Sequence, residues 1–119
     1  AQRLCRRLCK DCKVPLDPNG DEARKVRETL KLPADEVVQP YGPREKGCPN
    51  CRSLGYRGRM GIFEVLEMND TLREMVVKHA TTDELRAAAR ESGMTTLFEN
   101  GCLRVQAGLT SLDEVYRVV

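Results

Sequence analysis

Tryptophan is absent from these 119 residues, and the only aromatic side chains are two Phe and three Tyr. A chain so poor in rings must build its core from aliphatic residues, and a 40% hydrophobic content supports one of modest size. No apolar run approaches the ~20 residues that a membrane helix needs, so direct membrane insertion is not expected. No secretory leader opens the sequence, and a soluble chain is expected. The opening Ala1-Gln2-Arg3, without an initiator Met, fits a fragment of a longer protein.

Neither sign of charge dominates. Twenty basic residues face eighteen acidic ones, for a formal +2. Four thiolates and one divalent ion would take that to zero, leaving no general attraction to nucleic acid or to an anionic membrane. Basic residues do crowd the start, at Arg3, Arg6, Arg7, Lys10 and Lys13, where they would offset a four-thiolate centre.

The six cysteines carry the strongest signal. Cys9-Lys10-Asp11-Cys12 and Cys48-Pro49-Asn50-Cys51 are two CxxC pairs separated by thirty-five residues. Two residues between thiolates let a tight turn aim both sulfurs at one metal, and a second such turn completes a tetrahedron. Two pairs without a leader favour metal ligation over disulfides, which need an oxidising compartment, and over a thioredoxin-like site, which uses one pair. Cys9, Cys12, Cys48 and Cys51 are thus expected to hold Zn²⁺. A closed four-sulfur shell leaves no position for water or substrate, so the zinc is expected to be structural. Cys5 and Cys102 read as small apolar fillers. His79, near a helix end, reads as a surface residue.

A second cluster follows the last cysteine: Gly55-Tyr56-Arg57-Gly58-Arg59-Met60-Gly61. It reads equally as a solvated turn and as a scaffold for a phosphate or carboxylate contact, with Tyr56, Arg57 and Arg59 as candidate contacts to another subunit or partner. It does not match GxxxxGK[ST] and is no Walker A loop.

The expected fold is small α+β, with a zinc-ribbon-like tetracysteine lobe (residues 1–58) packed on a mainly helical lobe of three to four helices (residues 59–119). Residues 1–8, with Leu4 and Leu8 one turn apart, read as the end of a helix. Spacing predicts a helix from Asp21 to Leu32, stopped by Pro33, and an extended piece at Val37 and Val38. A strand is expected over Ile62 to Leu66. Helices are expected over 70–80, from the Thr81-x-x-Glu84 capping box to Gly93, from Thr95 or Thr96 to Ala107, and from the Ser111-x-x-Glu114 box to the end. Gly101 inside a helix costs up to ~1 kcal/mol and points to close backbone packing.

Taken together, Ala1-Gln2-Arg3-Leu4, the first CxxC, Gly47-Cys48 to Cys51, Gly55-Tyr56-Arg57-Gly58-Arg59 and Gly61-Ile62 resemble the C-terminal part of the GspE/PilB ATPases of type II secretion and type IV pilus assembly. Glu84-Leu85-Arg86, Gly93-Met94-Thr95 and Thr110-Ser111-Leu112-x-Glu114-Val115 extend the likeness nearly end to end. The resemblance implies a cytoplasmic homohexameric ATPase, peripheral to the bacterial inner membrane, that docks on platform proteins there and powers protein secretion or pilus extension. It implies zinc ligation by Cys9, Cys12, Cys48 and Cys51, in an arm projecting from the ATPase core. ATP and Mg²⁺ would belong to the parent protein only, since no P-loop lysine or Walker B segment occurs here, and the chain alone is not expected to be an enzyme. Lys10-Asp11 stands where many relatives carry Pro-His, and Cys5 where they usually carry an apolar residue. The competing reading is a free-standing zinc ribbon that binds nucleic acid or another protein, and near-neutral charge with scarce aromatics argues against the nucleic-acid form. A zinc-dependent enzyme is disfavoured by the closed shell.

Overall fold

The chain folds as a small α+β unit, and the computed structural model describes all of residues 1–119. Strand β1 (Gln2–Leu8) pairs antiparallel with β4 (Tyr56–Phe63), and a two-residue ladder joins β2 (Val14–Pro15) to β3 (Tyr41–Gly42). Five helices complete the fold: α1 (Asp21–Leu30), α2 (Asp70–Val77), α3 (Thr82–Glu91), α4 (Leu97–Gln106) and α5 (Leu112–Val118). No helix is long and apolar enough to cross a membrane.

The helix expected over residues 1–8 is instead β1. Leu4 and Leu8 sit one helical turn apart in sequence, but Arg3↔Ile62 and Cys5↔Met60 are cross-strand partners, and Cys5 and Ile62 are fully buried against Leu97. Long-range pairing outweighs local spacing here. The strand expected at Ile62–Leu66 is longer and starts earlier, because β1 supplies partners back to Tyr56. Val65 and Leu66 lie beyond its end and are exposed. No strand forms at Val37 and Val38; Val38 is buried in the main core while Val37 points outward, and the ladder forms at Tyr41–Gly42.

The helices follow their end signals. Helix α1 carries Asp21 and Glu22 in its first turn, buries Ala23 and Val26, and closes on Lys31 in the left-handed conformation, just before Pro33. Thr81 and Glu84 form a reciprocal capping box on α3. Thr96 and Ser111 accept from the amides of Glu99 and Glu114 to start α4 and α5.

The principal core joins both halves of the sequence: Ala23, Val26 and Val38 pack with Cys102, Val105, Leu112 and Val115. Position 58 lies within β4, which pairs with β1, and α1 packs on α4. Helix α4 also packs on α5, and Gly101 permits the close approach, since a Cβ there would stand 2.5 Å from Val115 Cγ1.

Candidate metal centre

Each CxxC pair sits on a turn whose backbone is tied down locally. In the first, Cys9 N–H donates to Gly55 O, and the amides of Cys12 and Lys13 both reach back to Cys9 O. In the second, Pro49–Cys51 form a single 3₁₀ turn, and the amides of Cys51 and Ser53 donate to Cys48 O. Pro49 suits the first position of such a turn, where its missing N–H costs nothing. Gly47 and Gly55 flank it with φ of 54° and 79°. A Cβ on Gly47 would lie 2.6 Å from the carbonyl carbon of Ser53, and one on Gly55 would lie 2.6 Å from Pro43 Cβ, so both positions need glycine twice over.

These turns bring the sulfurs of Cys9, Cys12, Cys48 and Cys51 together, all within 4.8 Å of one another. Cys9–Cys48, Cys12–Cys51 and Cys48–Cys51 are each separated by 3.8 Å between Sγ atoms. A tetrahedron with zinc–sulfur bonds of about 2.3 Å has edges of about 3.8 Å. The spacing therefore fits a four-thiolate metal ion, and all six cysteines are free of disulfides.

The protonation pattern has a local cause. Burial pushes the Cys12 thiol up to about 12, and the neighbouring sulfurs of Cys48, Cys9 and Cys51 reinforce it. Burial acts the same way on Cys51, but hydrogen bonds from the backbone around Cys48 and Gly55 outweigh it and draw Cys51 down to about 6. The amides of Cys48 and Gly55 each lie 3.2 Å from Cys51 Sγ. Such donors stabilise the thiolate over the thiol, and the thiolate is the form that ligates a metal.

The other expected sites separate clearly. Cys5 and Cys102 are fully buried away from the cluster, and burial pushes both thiols up, Cys102 to about 11. They pack as apolar side chains in two different clusters. His79 occupies the turn between α2 and α3, with φ of 58°. Arg57 and Arg59 are exposed on β4. Tyr56 turns inward instead: its hydroxyl lies 2.7 Å from Ser111 Oγ, and the Arg6 guanidinium stacks 4.2 Å from its ring centre.

Sequence reasoning passed over the Arg6–Glu114 pair. The segment Leu109–Glu114 closes the outer edge of β1. Leu8 N–H donates to Leu109 O, Thr110 Oγ1 to Arg6 O, and Arg6 N–H to Glu114 Oε2 at 2.6 Å. The Glu114 carboxylate, fully buried, also receives the guanidinium of Arg6 and that of Arg117. Burial alone would raise its pKa, yet the two arginines and the Arg6 amide hold it down at about 2. The signal available beforehand was the Thr110-Ser111-Leu112-x-Glu114 segment itself, in which Thr110, Ser111 and Glu114 each have a partner on β1 or β4.

The family model described as "Type II/IV secretion system protein" matches residues 1–117. The chain is 39% identical over 118 residues to the type II secretion system ATPase E of Vibrio cholerae, covering 99% of this chain and 22% of that protein. It is 37% identical over 119 residues to the type IV pilus assembly ATPase TfpB of Acinetobacter baylyi, covering 100% of this chain and 20% of that protein. A further relative is the protein transport protein HofB homolog of Escherichia coli, 36% identical over 120 residues, with 24% of it covered. The chain thus spans about a fifth of the length of these relatives. With the family model matched almost from end to end, the chain belongs to the type II/IV secretion system protein family.

Proposed function

We propose that this chain is a zinc-stabilised accessory domain of a secretion or pilus-assembly ATPase, the C-terminal part in the family's order. The observation that carries the metal assignment is the set of three sulfur–sulfur separations of 3.8 Å, the edge of a zinc tetrathiolate. Bound zinc would supply a four-coordinate cross-link with no open position for water, and so no chemistry of its own on substrate.

What the chain's own residues do follows from where they sit. Cys9 and Cys12 continue directly from β1, while Cys48 and Cys51 lead into β4, its partner strand. The cross-link would therefore close the ribbon at one end and present Arg57 and Arg59 on a fixed strand. In this reading those arginines contact a neighbouring subunit of a homohexamer or a partner protein, and the domain docks on inner-membrane platform proteins from the cytoplasmic side. ATP and Mg²⁺ bind elsewhere in the longer protein, whose hydrolysis powers secretion or pilus extension. Near-complete coverage of this chain, against a fifth of each relative, supports that division of labour.

The test uses the complete ATPase. Cys48→Ser should abolish stoichiometric zinc and lower both ATP turnover and secretion or piliation, and Arg59→Ala should keep zinc but weaken hexamer formation and turnover. Full metal retention by Cys48→Ser would overturn the ligand assignment. An unchanged oligomer with unchanged turnover in Arg59→Ala would overturn the contact role.

A further inference from the structure

A cavity of about 440 Å³ opens beside the tetracysteine cluster, between the first CxxC turn and β4. Its wall holds three cations, Arg7, Lys10 and Arg57, and one acid, Asp11. We propose that this cavity is a docking site for an acidic segment of a partner protein, whose carboxylates pair with Arg7, Lys10 and Arg57.

Three observations carry it. First, the cations have no partner within the chain. The five ion pairs of the structure use Arg6, Arg24, Arg73, Arg90 and Arg117, and no hydrogen bond engages the side chains of Arg7, Lys10 or Arg57. Asp11 is turned to Asn50, whose amide lies 3.2 Å from its Oδ2.

Second, no direct contact with a sulfur occupies them. The hydrogen bonds to Cys51 Sγ come from the backbone of Cys48 and Gly55, and no cationic side chain reaches a sulfur. Third, the charges stand on fixed backbone. Lys10 lies in the turn closed on Cys9 O, and Arg7 falls at the irregularity in the β1–β4 register. Arg57 is next to Gly58, over which the Arg7 stem passes. The backbone positions of the three charges are thus set relative to one another, as recognition of a partner requires.

The lining also selects among anions. Its apolar members are Leu8 and Cys9, with no aromatic ring on which a nucleobase could stack. An open, shallow site with three separate cations suits several carboxylates along a peptide. The inference deepens the reading of Arg57 as a partner contact.

The experiment titrates a labelled deca-glutamate peptide into the 119-residue chain at low salt and follows fluorescence anisotropy. Saturable binding is expected. Arg7→Ala with Arg57→Ala should weaken it about tenfold, from two partly exposed ion pairs. Arg7→Lys with Arg57→Lys, which keeps the charge, should bind nearly as the parent does, guarding against misfolding as the cause. Lys78→Ala with Arg86→Ala, removing equal charge from the residue after α2 and from α3, should leave binding unchanged. Absence of saturation, or equal losses in the two alanine pairs, would overturn the proposal. So would tighter binding of inorganic phosphate or of a thymidine oligonucleotide at the same residues. Zinc content measured on the same preparations separates the two failures: missing metal counts against the cysteine assignment, and missing peptide binding with metal present counts against the docking cavity.

Discussion

Arg6 and Glu114 are joined through both backbone and side chain: the Arg6 amide and guanidinium converge on one carboxylate buried at the start of α5. This single residue pair fastens the last helix to the first strand, across 108 positions of sequence. Arg117 binds the same carboxylate from within α5, so two half-exposed cations enclose one buried anion.

Removing the anion should therefore cost more than a surface pair would. Glu114→Ala is expected to lower stability by about 3 kcal/mol, towards the range for breaking a buried pair, because Arg6 N–H loses its acceptor and Arg6 and Arg117 are left to repel. Chemical denaturation at fixed metal concentration measures it. A loss below about 0.5 kcal/mol would show that solvent replaces the carboxylate.

The same group predicts an acid dependence. Its pKa is depressed from 4.5 to about 2 in the folded chain, so its stabilisation is complete above 4.5 and disappears as pH falls towards 2. On the order of 3 kcal/mol is at stake at neutral pH. The measurement is the stability difference between the parent and Glu114→Gln as a function of pH, in which the cysteine contribution cancels. That difference should shrink on acidification within this window, and a flat difference would contradict the depressed value.

Metal removal should act locally. Chelation is expected to release amide protection at Cys9–Lys13 and Gly47–Gly55, whose hydrogen bonds surround the sulfurs. The core formed by α1, α4 and α5 should stay protected, since it shares no side chain with the cluster. Hydrogen exchange with and without chelator tests this. Simultaneous loss of protection in α5 would mean that the whole chain folds only around the ion.

Gly101→Ala gives a packing test. The added methyl would meet Val115 Cγ1 and should cost about 1–3 kcal/mol, partly offset by a gain in helix propensity of up to about 1 kcal/mol. Val115→Ala should relieve the clash, so the double variant would lose less than the sum of the two single ones in thermal unfolding.

The sequence carried the parts of this fold that are encoded locally. Cys9-x-x-Cys12 and Cys48-x-x-Cys51 announce their geometry within four residues each, and Thr81-x-x-Glu84 and Ser111-x-x-Glu114 announce helix starts the same way. What it concealed depends on distant partners. Leu4 and Leu8 mimic a helical stripe until β4 is present to pair with them, and Tyr56 reads as exposed until Ser111 is placed against its hydroxyl. Glu114 reads as a capping residue because its tie to Arg6 spans nearly the whole chain.

The backbone at Gly47 and Gly55 carries a consequence for variation. Each is locked by a left-handed backbone angle and by a neighbour standing where a methyl would go. In a library of random substitutions these two positions should tolerate change as poorly as the four cysteines, although neither supplies a sulfur, since replacing either one deforms the mould in which the thiolates are cast.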